Sequence, residues 1–260
     1  MKDVQSEKDK RNIFIEKVGV SSIKYPIRIM DKQNGFQNTV ALVDIYVDLP
    51  SEYRGTHMSR FVEILNKHRN NMSLSNLEKI LDDTKQQLRA KVAHIVLRFP
   101  YFILKKAPIT KEESFMDYEC AFIASKNEKF DFVLEVNVPV HLLCPCSKEI
   151  SDFGAHNQRA NIRVKVKMDR LVWIEEIVEM VENSASAPLY ALLKRPDEKY
   201  ITEKAYMNPK FVEDIVRDVS ILFDKDERIT YYEIEAISYE SIHNHSAYAY
   251  LHRDKNSYNK

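Results

Sequence analysis

Four glycines in 260 residues, Gly19, Gly35, Gly55 and Gly154, narrow the choice of fold more than any other feature of this chain. Ordinary usage of about 7% would give roughly 18. Neither a GxGxxG fingerprint nor a GxxxxGKS/T loop can be written from these four. Both motifs need glycine where the backbone closes on a phosphate. Rossmann and P-loop architectures are therefore excluded, and any nucleotide phosphate must be held by side chains.

Other bounds follow from composition. Lys and Arg number 39 and Asp and Glu 39, so the formal net charge is zero. No basic domain or tail points to nucleic acid or an anionic membrane. With 44% hydrophobic residues, the chain can bury a real core as one large domain or two small ones. Three cysteines, with Cys120 isolated from Cys144 and Cys146, argue against a disulfide framework and for a reducing cytoplasm. The charged start of the chain carries no apolar signal segment, and no run approaches membrane-spanning length.

Element order is the next constraint. Short apolar runs read as strands over Ile23–Asp31 and Thr39–Leu49, and helical spacing follows over Met58–His68 and Leu74–Leu88. In the second helix Leu74, Leu77, Leu81 and Leu88 share a face, and Ser75 with Glu78 forms a capping-box pattern. Val92–Leu104 and Met116–Ala124 read as strands. The second half repeats the order. Phe130–Val140 alternates, and Ile162, Val164, Val166 and Met168 alternate with Asn and basic residues. Leu171–Val181 reads as a helix. Asn208 with Pro209 reads as N-cap and N1 of another, with Val212, Ile215, Val216, Val219 and Phe223 on its core face. Ile229–Ile237 and Ala247–Leu251 close the unit. Two ββααββ modules, 1–126 and 127–260, meet at a polar seam near Ser125–Glu128. Adjacent strands joined by short turns imply antiparallel sheets with helices on one face, an α+β fold. The stretch from Ser184 to Met207 is too long for a plain connection and is a candidate functional segment.

Three clusters carry chemistry. LCPCSKEIS (143–151) and GAHNQR (154–159) set the thiol of Cys144 and the imidazole of His156 about a dozen residues apart across a polar turn. Thiolate and imidazole are the ligands that suit zinc and other first-row transition metals; the plain alternatives are a small buried cysteine and a solvated histidine. The charged knot Arg195–Lys199 is by default a solvated run, but it lies in the overlong segment, so Glu198 is expected to reach inward. Glu213 falls in the first turn of a helix, where a carboxylate suits the dipole; it can equally accept two parallel N–H bonds from a guanine edge. Glu240, His243 and His245 form the third cluster. Strand periodicity would put both histidines on one face, as ligands, as proton carriers or as an exposed edge pair. His57 is a weaker candidate.

With these residues in hand, the chain resembles the GTP cyclohydrolase type IB family. The likeness rests on LCPCSKEIS and GAHNQR, on RPDEKYITEKAYMNPKFVEDIVRD (195–218) and on ESIHNHSAYA (240–249), supported by GTHMSRF (55–61) and ESFMDYE (113–119). It implies a tunnelling fold of two tandem modules per subunit and conversion of GTP and water to 7,8-dihydroneopterin triphosphate and formate, the first step toward folate-type pterins. It further implies a homotetramer with active sites at subunit interfaces, which would bring Glu213 of one subunit near Cys144 and His156 of another.

By position, the resemblance assigns metal binding to Cys144, His156 and Glu198, a place near the metal to Glu240, and purine anchoring to Glu213. Cys146 also matches a family cysteine. Lys148, Arg159, Arg60 and Lys210 are candidates for the phosphates. Ring opening and formate release both need proton transfer, a task for His243 or His245; with Cys144 and Glu240 these make up the expected catalytic set. A mixed Cys/His/Glu shell suits a divalent transition metal (Mn, Fe(II) or Zn) without choosing among them. Two other readings stay open: a different pterin- or purine-handling tunnelling-fold enzyme, which would keep Glu213 but need no metal shell, and a non-catalytic metal-binding scaffold.

Overall fold

Strands β1 (Ile15–Asp31) and β2 (Gly35–Leu49) run antiparallel, paired from Ile15–Leu49 to Asp31–Gly35. The structure, a computed structural model, describes residue 5 and residues 7–68 and 74–259. β1 starts eight residues earlier than alternation alone indicates, because register shifts after Ile15 and after Val20 break the period. At the second shift Ser22 takes a φ of 58° and its N–H donates to Asp44 Oδ1 at 2.8 Å. Between the two shifts Gly19 lets the strands approach closely: a Cβ there would sit 2.1 Å from the Ile45 carbonyl oxygen.

By contact density the chain divides into two units, residues 1–100 with 121–134, and residues 101–120 with 135–260. Strands β3 (Ala93–Lys106), β4 (Glu113–Lys126) and β5 (Phe130–Leu143) contribute residues to both, whereas the tandem-module division at residue 126 follows element order. In the first unit, helix α1 (Met58–Lys67) buries Phe61, Ile64 and Leu65, and α2 (Leu74–Leu88) buries Leu77, Ile80 and Leu81. Helix α2 already includes Ser75, so the expected capping box has no N-cap there; the Ser75 side chain lies outside the described residues. Glu78 instead accepts from Lys126 Nζ at 2.9 Å.

In the second unit the strand order is β4, β5, β6 (Asn157–Met168), β8 (Ile229–Ser238) and β9 (Ala247–Asp254), with the two-residue β7 (Ala187–Pro188) beside β5. β6 buries Ile162, Val164 and Val166, as its alternation predicts. On its other face Arg163 and Lys165 meet Glu235 and Glu233, their register partners on β8, at 2.8 and 3.3 Å. Helix α4 (Ile174–Ser184) buries Ile177, Val178 and Val181, and α6 (Val212–Lys225) buries the five apolar residues read from its spacing. A short helix, α3 (Pro145–Ile150), replaces the expected turn after Cys144.

Two expectations change here. The overlong segment is structured: it holds β7 and helix α5 (Arg195–Met207), whose Ile201 and Ala205 pack with Ala187. Asn208 and Pro209 do not start α6. Asn208 ends α5, and its side-chain amide donates to the Ala185 carbonyl at 2.9 Å, a long-range bond that the local N-cap pattern cannot reveal. The N-cap of α6 is Phe211, whose N–H donates to Asp214 Oδ2 at 3.0 Å. Helices α4 and α5 use the same device: Trp173 N–H donates to Glu176 and Lys194 N–H to Asp197. Each helix thus satisfies its N-cap N–H with an acid three residues on. Among the described residues no helix is long and apolar enough to cross a membrane.

Candidate active site

The end of β5 and the start of β6 hold Cys144 and His156 together through the backbone. Cys144 N–H donates to the His156 carbonyl at 3.1 Å, and His156 N–H donates to Ser147 Oγ at 3.1 Å. Between them Gly154 takes a φ of 99°, a left-handed turn that a side chain would strain. Cys144 is the N-cap of α3, and its Sγ accepts from Ser147 N–H at 3.5 Å. A second pair of bonds fixes the neighbouring segment. Lys210 N–H donates to the Leu143 carbonyl at 3.0 Å, while Asn208 is tied to Ala185, so the first turn of α6 is carried to the end of β5.

These constraints build one cavity of about 280 Å³ within the second unit. Cys144, His156, Glu213, Glu240, His243 and His245 all line it. His243 and His245 lie in the irregular segment between β8 and β9, not on a strand, yet their rings stack with centroids 5.2 Å apart. The His156 ring meets His243 edge-on at 6.3 Å. Glu240 Oε2 stands 3.9 Å from Nδ1 of both His156 and His243.

Gln158, Ser238, Phe211 and Tyr248 also line the cavity and were not singled out from the sequence. Gln158 had a usable signal, since it lies two residues beyond His156, the spacing that extended chain places on one side. Ser238 had none, since it meets Gln158 across 80 positions of sequence.

The basic candidates divide. Lys210 lines the cavity, with Nζ 2.5 Å from Asp218 Oδ2. Lys148 does not; its Nζ donates to the Tyr206 carbonyl at 2.6 Å and lies over the Tyr206 ring. Arg159 is exposed on β6 and outside the lining. Arg60 belongs to α1 of the first unit, where it donates to the Gln87 carbonyl at 3.1 Å. Cys146 is exposed on α3 and outside the lining.

In the charged knot it is Asp197, not Glu198, that turns inward. Asp197 is fully buried and accepts from Ile109 N–H, Thr110 N–H and the Thr110 hydroxyl at 2.8, 2.9 and 2.7 Å. Burial alone would raise its pKa, but the Thr110 hydroxyl and the backbone donors outweigh burial and hold it well below the usual carboxylate range. Glu198 is exposed on α5. Consistent with that, no group of three or more His, Cys, Asp and Glu side chains among the described residues is arranged to hold a metal ion. Cys144 and His156 offer donor chemistry suited to a first-row divalent ion. Glu213 lines the same cavity as Cys144 and His156 within one chain.

Comparison with known proteins agrees with this arrangement. Residues 1–249 match the family model described as type I GTP cyclohydrolase folE2. The GTP cyclohydrolase FolE2 of Kosmotoga olearia is 56% identical over 255 residues, covering 98% of this chain and 99% of that protein. That of Geobacter sulfurreducens is 54% identical over 255 residues, with the same two shares. Among solved structures, urate oxidase from Bacillus sp. TB-90 superposes with a TM-score of 0.56 at 8% identity, covering 93% of this chain and 100% of that one. Urate oxidase from Bacillus subtilis 168 gives 0.55 at 6%, covering 92% and 99%. Identity that low carries the fold alone, and it is the α+β tunnelling fold. With the family model spanning nearly its whole length, the chain belongs to the type I GTP cyclohydrolase FolE2 family, enzymes acting on GTP in folate and pterin biosynthesis.

Proposed function

We propose that this chain converts GTP and water to 7,8-dihydroneopterin triphosphate and formate in the cavity lined by Cys144, His156, Glu213, Glu240, His243 and His245. The observation that carries the reading is their shared lining of one cavity. At about 280 Å³ it lies at the small end of ligand sites, so it suits the purine and leaves the triphosphate to extend past it. Glu213 would accept guanine N1–H and N2–H as a parallel pair. Lys210, on the same wall, is the basic group best placed to meet negative charge there.

The family is metal-dependent. Cys144 and His156 would hold the ion from one chain, and Glu198, exposed on α5, would complete the set from another subunit. A bound divalent ion would supply the Lewis acidity that makes water a competent nucleophile near neutral pH. His243 and His245, stacked on each other in the cavity lining, would move protons to the imidazole nitrogens as the ring opens and formate leaves. Glu240, close to both His156 and His243, would balance the charge that such transfers create.

Oligomerisation accords with exposed Ile150, Phe153 and Met207, at 83%, 98% and 75% exposure, large apolar side chains that an interface would cover. We take the assembly to be a homotetramer of two tandem modules per subunit, 1–126 and 127–260, in the cytoplasm. The test is to incubate the purified protein with GTP and Mn²⁺ or Fe²⁺ and follow pterin fluorescence after oxidation. Cys144→Ala and His156→Ala should lose bound metal and turnover together. Absence of pterin from the parent protein with either ion would overturn the reading.

A further inference from the structure

The amide of Gln158 sits where its orientation is decided by what surrounds it. Its Nε2 lies 3.1 Å from Ser238 Oγ and 3.2 Å from Glu240 Oε1, and its Oε1 lies 2.9 Å from His156 Nδ1. Ser238 Oγ donates to Glu240 Oε1 at 2.9 Å, so its one proton is spent and it faces Gln158 as an acceptor. A carboxylate oxygen is an acceptor as well. The amide end between them must therefore be the NH₂ group, since a flipped amide would set its oxygen against the Glu240 carboxylate and turn both its N–H donors toward the one acceptor nitrogen that the His156 ring can offer. That places the amide oxygen at the His156 ring. An amide oxygen only accepts, so Nδ1 of His156 must carry the hydrogen, which leaves Nε2 as the lone-pair nitrogen of the neutral ring.

We infer that Gln158 is a positioning residue, held by Ser238 and Glu240, that keeps His156 in the Nδ1–H tautomer and so presents Nε2 as its ligand nitrogen. The inference rests on the metal reading above for its purpose, though not for its geometry. A neutral histidine coordinates only through its unprotonated nitrogen, and a partner on the other nitrogen fixes both tautomer and ring orientation. Gln158 performs that task with an uncharged group. The charged member, Glu240, acts one bond further out, at the far end of the amide.

The test uses the full chain freed of metal, with histidine labelled by ¹⁵N. Long-range proton–nitrogen NMR identifies the protonated nitrogen, and the His156 signals are assigned by their loss in His156→Ala. The parent should show hydrogen on Nδ1 of the neutral ring. Gln158→Leu should shift His156 toward the Nε2–H form and weaken Mn²⁺ binding by about 10- to 100-fold, the usual effect of removing a ligand's hydrogen-bond partner. Ser238→Ala removes one of the two anchors without touching His156. It should move both readouts the same way by a smaller factor, so the test does not depend on the folding of one variant. A parent protein with hydrogen on Nε2, or variants whose tautomer and affinity match the parent's, would overturn the inference. A merely structural role would lower stability and leave the tautomer where it is, which also overturns it. Failure of the parent to bind Mn²⁺ or Fe²⁺ would instead overturn the metal reading, while the tautomer in the metal-free protein would still decide the role of Gln158.

Discussion

Glu240 Oε2 stands 3.9 Å from Nδ1 of His156, too far for a hydrogen bond and close enough for strong charge interaction when the ring is protonated. The same oxygen is 3.9 Å from Nδ1 of His243, so one carboxylate serves the histidine assigned to the metal and the histidine assigned to proton transfer. Glu240→Gln should therefore lower kcat by about 100-fold or more, the low end of what a positioned acid–base group contributes. KM for GTP should move little, because Glu240 is not the guanine anchor. Steady-state kinetics decide the matter, and an unchanged kcat would remove Glu240 from the chemistry.

Glu213 stands in the first turn of α6 on the wall of the same cavity. Glu213→Gln should keep the fold and the metal but lose the preference for GTP over ATP. The amide offers one acceptor oxygen and turns an NH₂ group toward a guanine donor. An unpaired buried donor costs about 1–3 kcal/mol, roughly 5- to 150-fold in kcat/KM. A variant that discriminates as the parent does would reduce Glu213 to a helix-terminus residue.

Subunit exchange separates the residues of one chain from those of two. Cys144 and Glu213 line one cavity of one chain, so mixing inactive Cys144→Ala with inactive Glu213→Ala protein should restore no turnover. Mixing Cys144→Ala with Glu198→Ala should restore part of it, since exchange would assemble some sites with an intact set. Recovery in the first mixture would show that Cys144 and Glu213 serve a site from different chains, and none in the second, despite demonstrated exchange, would contradict the assignment of Glu198 to a neighbouring subunit.

Asp197 gives the fold an acid-sensitive point. Its folded pKa is depressed, so its contribution to stability is present above the unfolded value of about 3.9 and is lost as pH falls toward the folded value. Asp197→Asn should have a lower Tm than the parent at pH 7. It should also lose less Tm than the parent between about pH 5 and pH 2, because it has no such carboxylate to protonate. Parallel Tm profiles for the two proteins would show that the Asp197 charge does not contribute.

Much of the architecture was legible in the residues. The buried faces of α4 and α6 are the ones that helical spacing picks out, because one-sided burial leaves a period that survives in sequence. The alternation of β6 predicts its buried row for the same reason. Helix α5 was hidden because the charge-rich Arg195–Met207 buries few residues and so writes no clear period. The start of α6 was misplaced because Asn208 spends its side chain on Ala185, 23 positions earlier.

Composition and motif by themselves determined that no glycine-rich phosphate cradle exists, and they marked Cys144, His156, Glu213, Glu240, His243 and His245 among a wider set that included Glu198, Lys148, Arg159 and Arg60. Only the tertiary structure decided that these six share one cavity while Lys148 and Arg159 stand outside it. It also decided which acid of the charged knot turns inward. Asp197 is chosen over Glu198 by donors at Ile109 and Thr110, 88 and 87 positions earlier. Likewise, Gln158 gains a role from Ser238 and Glu240, 80 and 82 positions later. Local sequence sets which backbone forms a residue can take, but which polar groups it must satisfy is fixed by whatever the folded chain brings beside it.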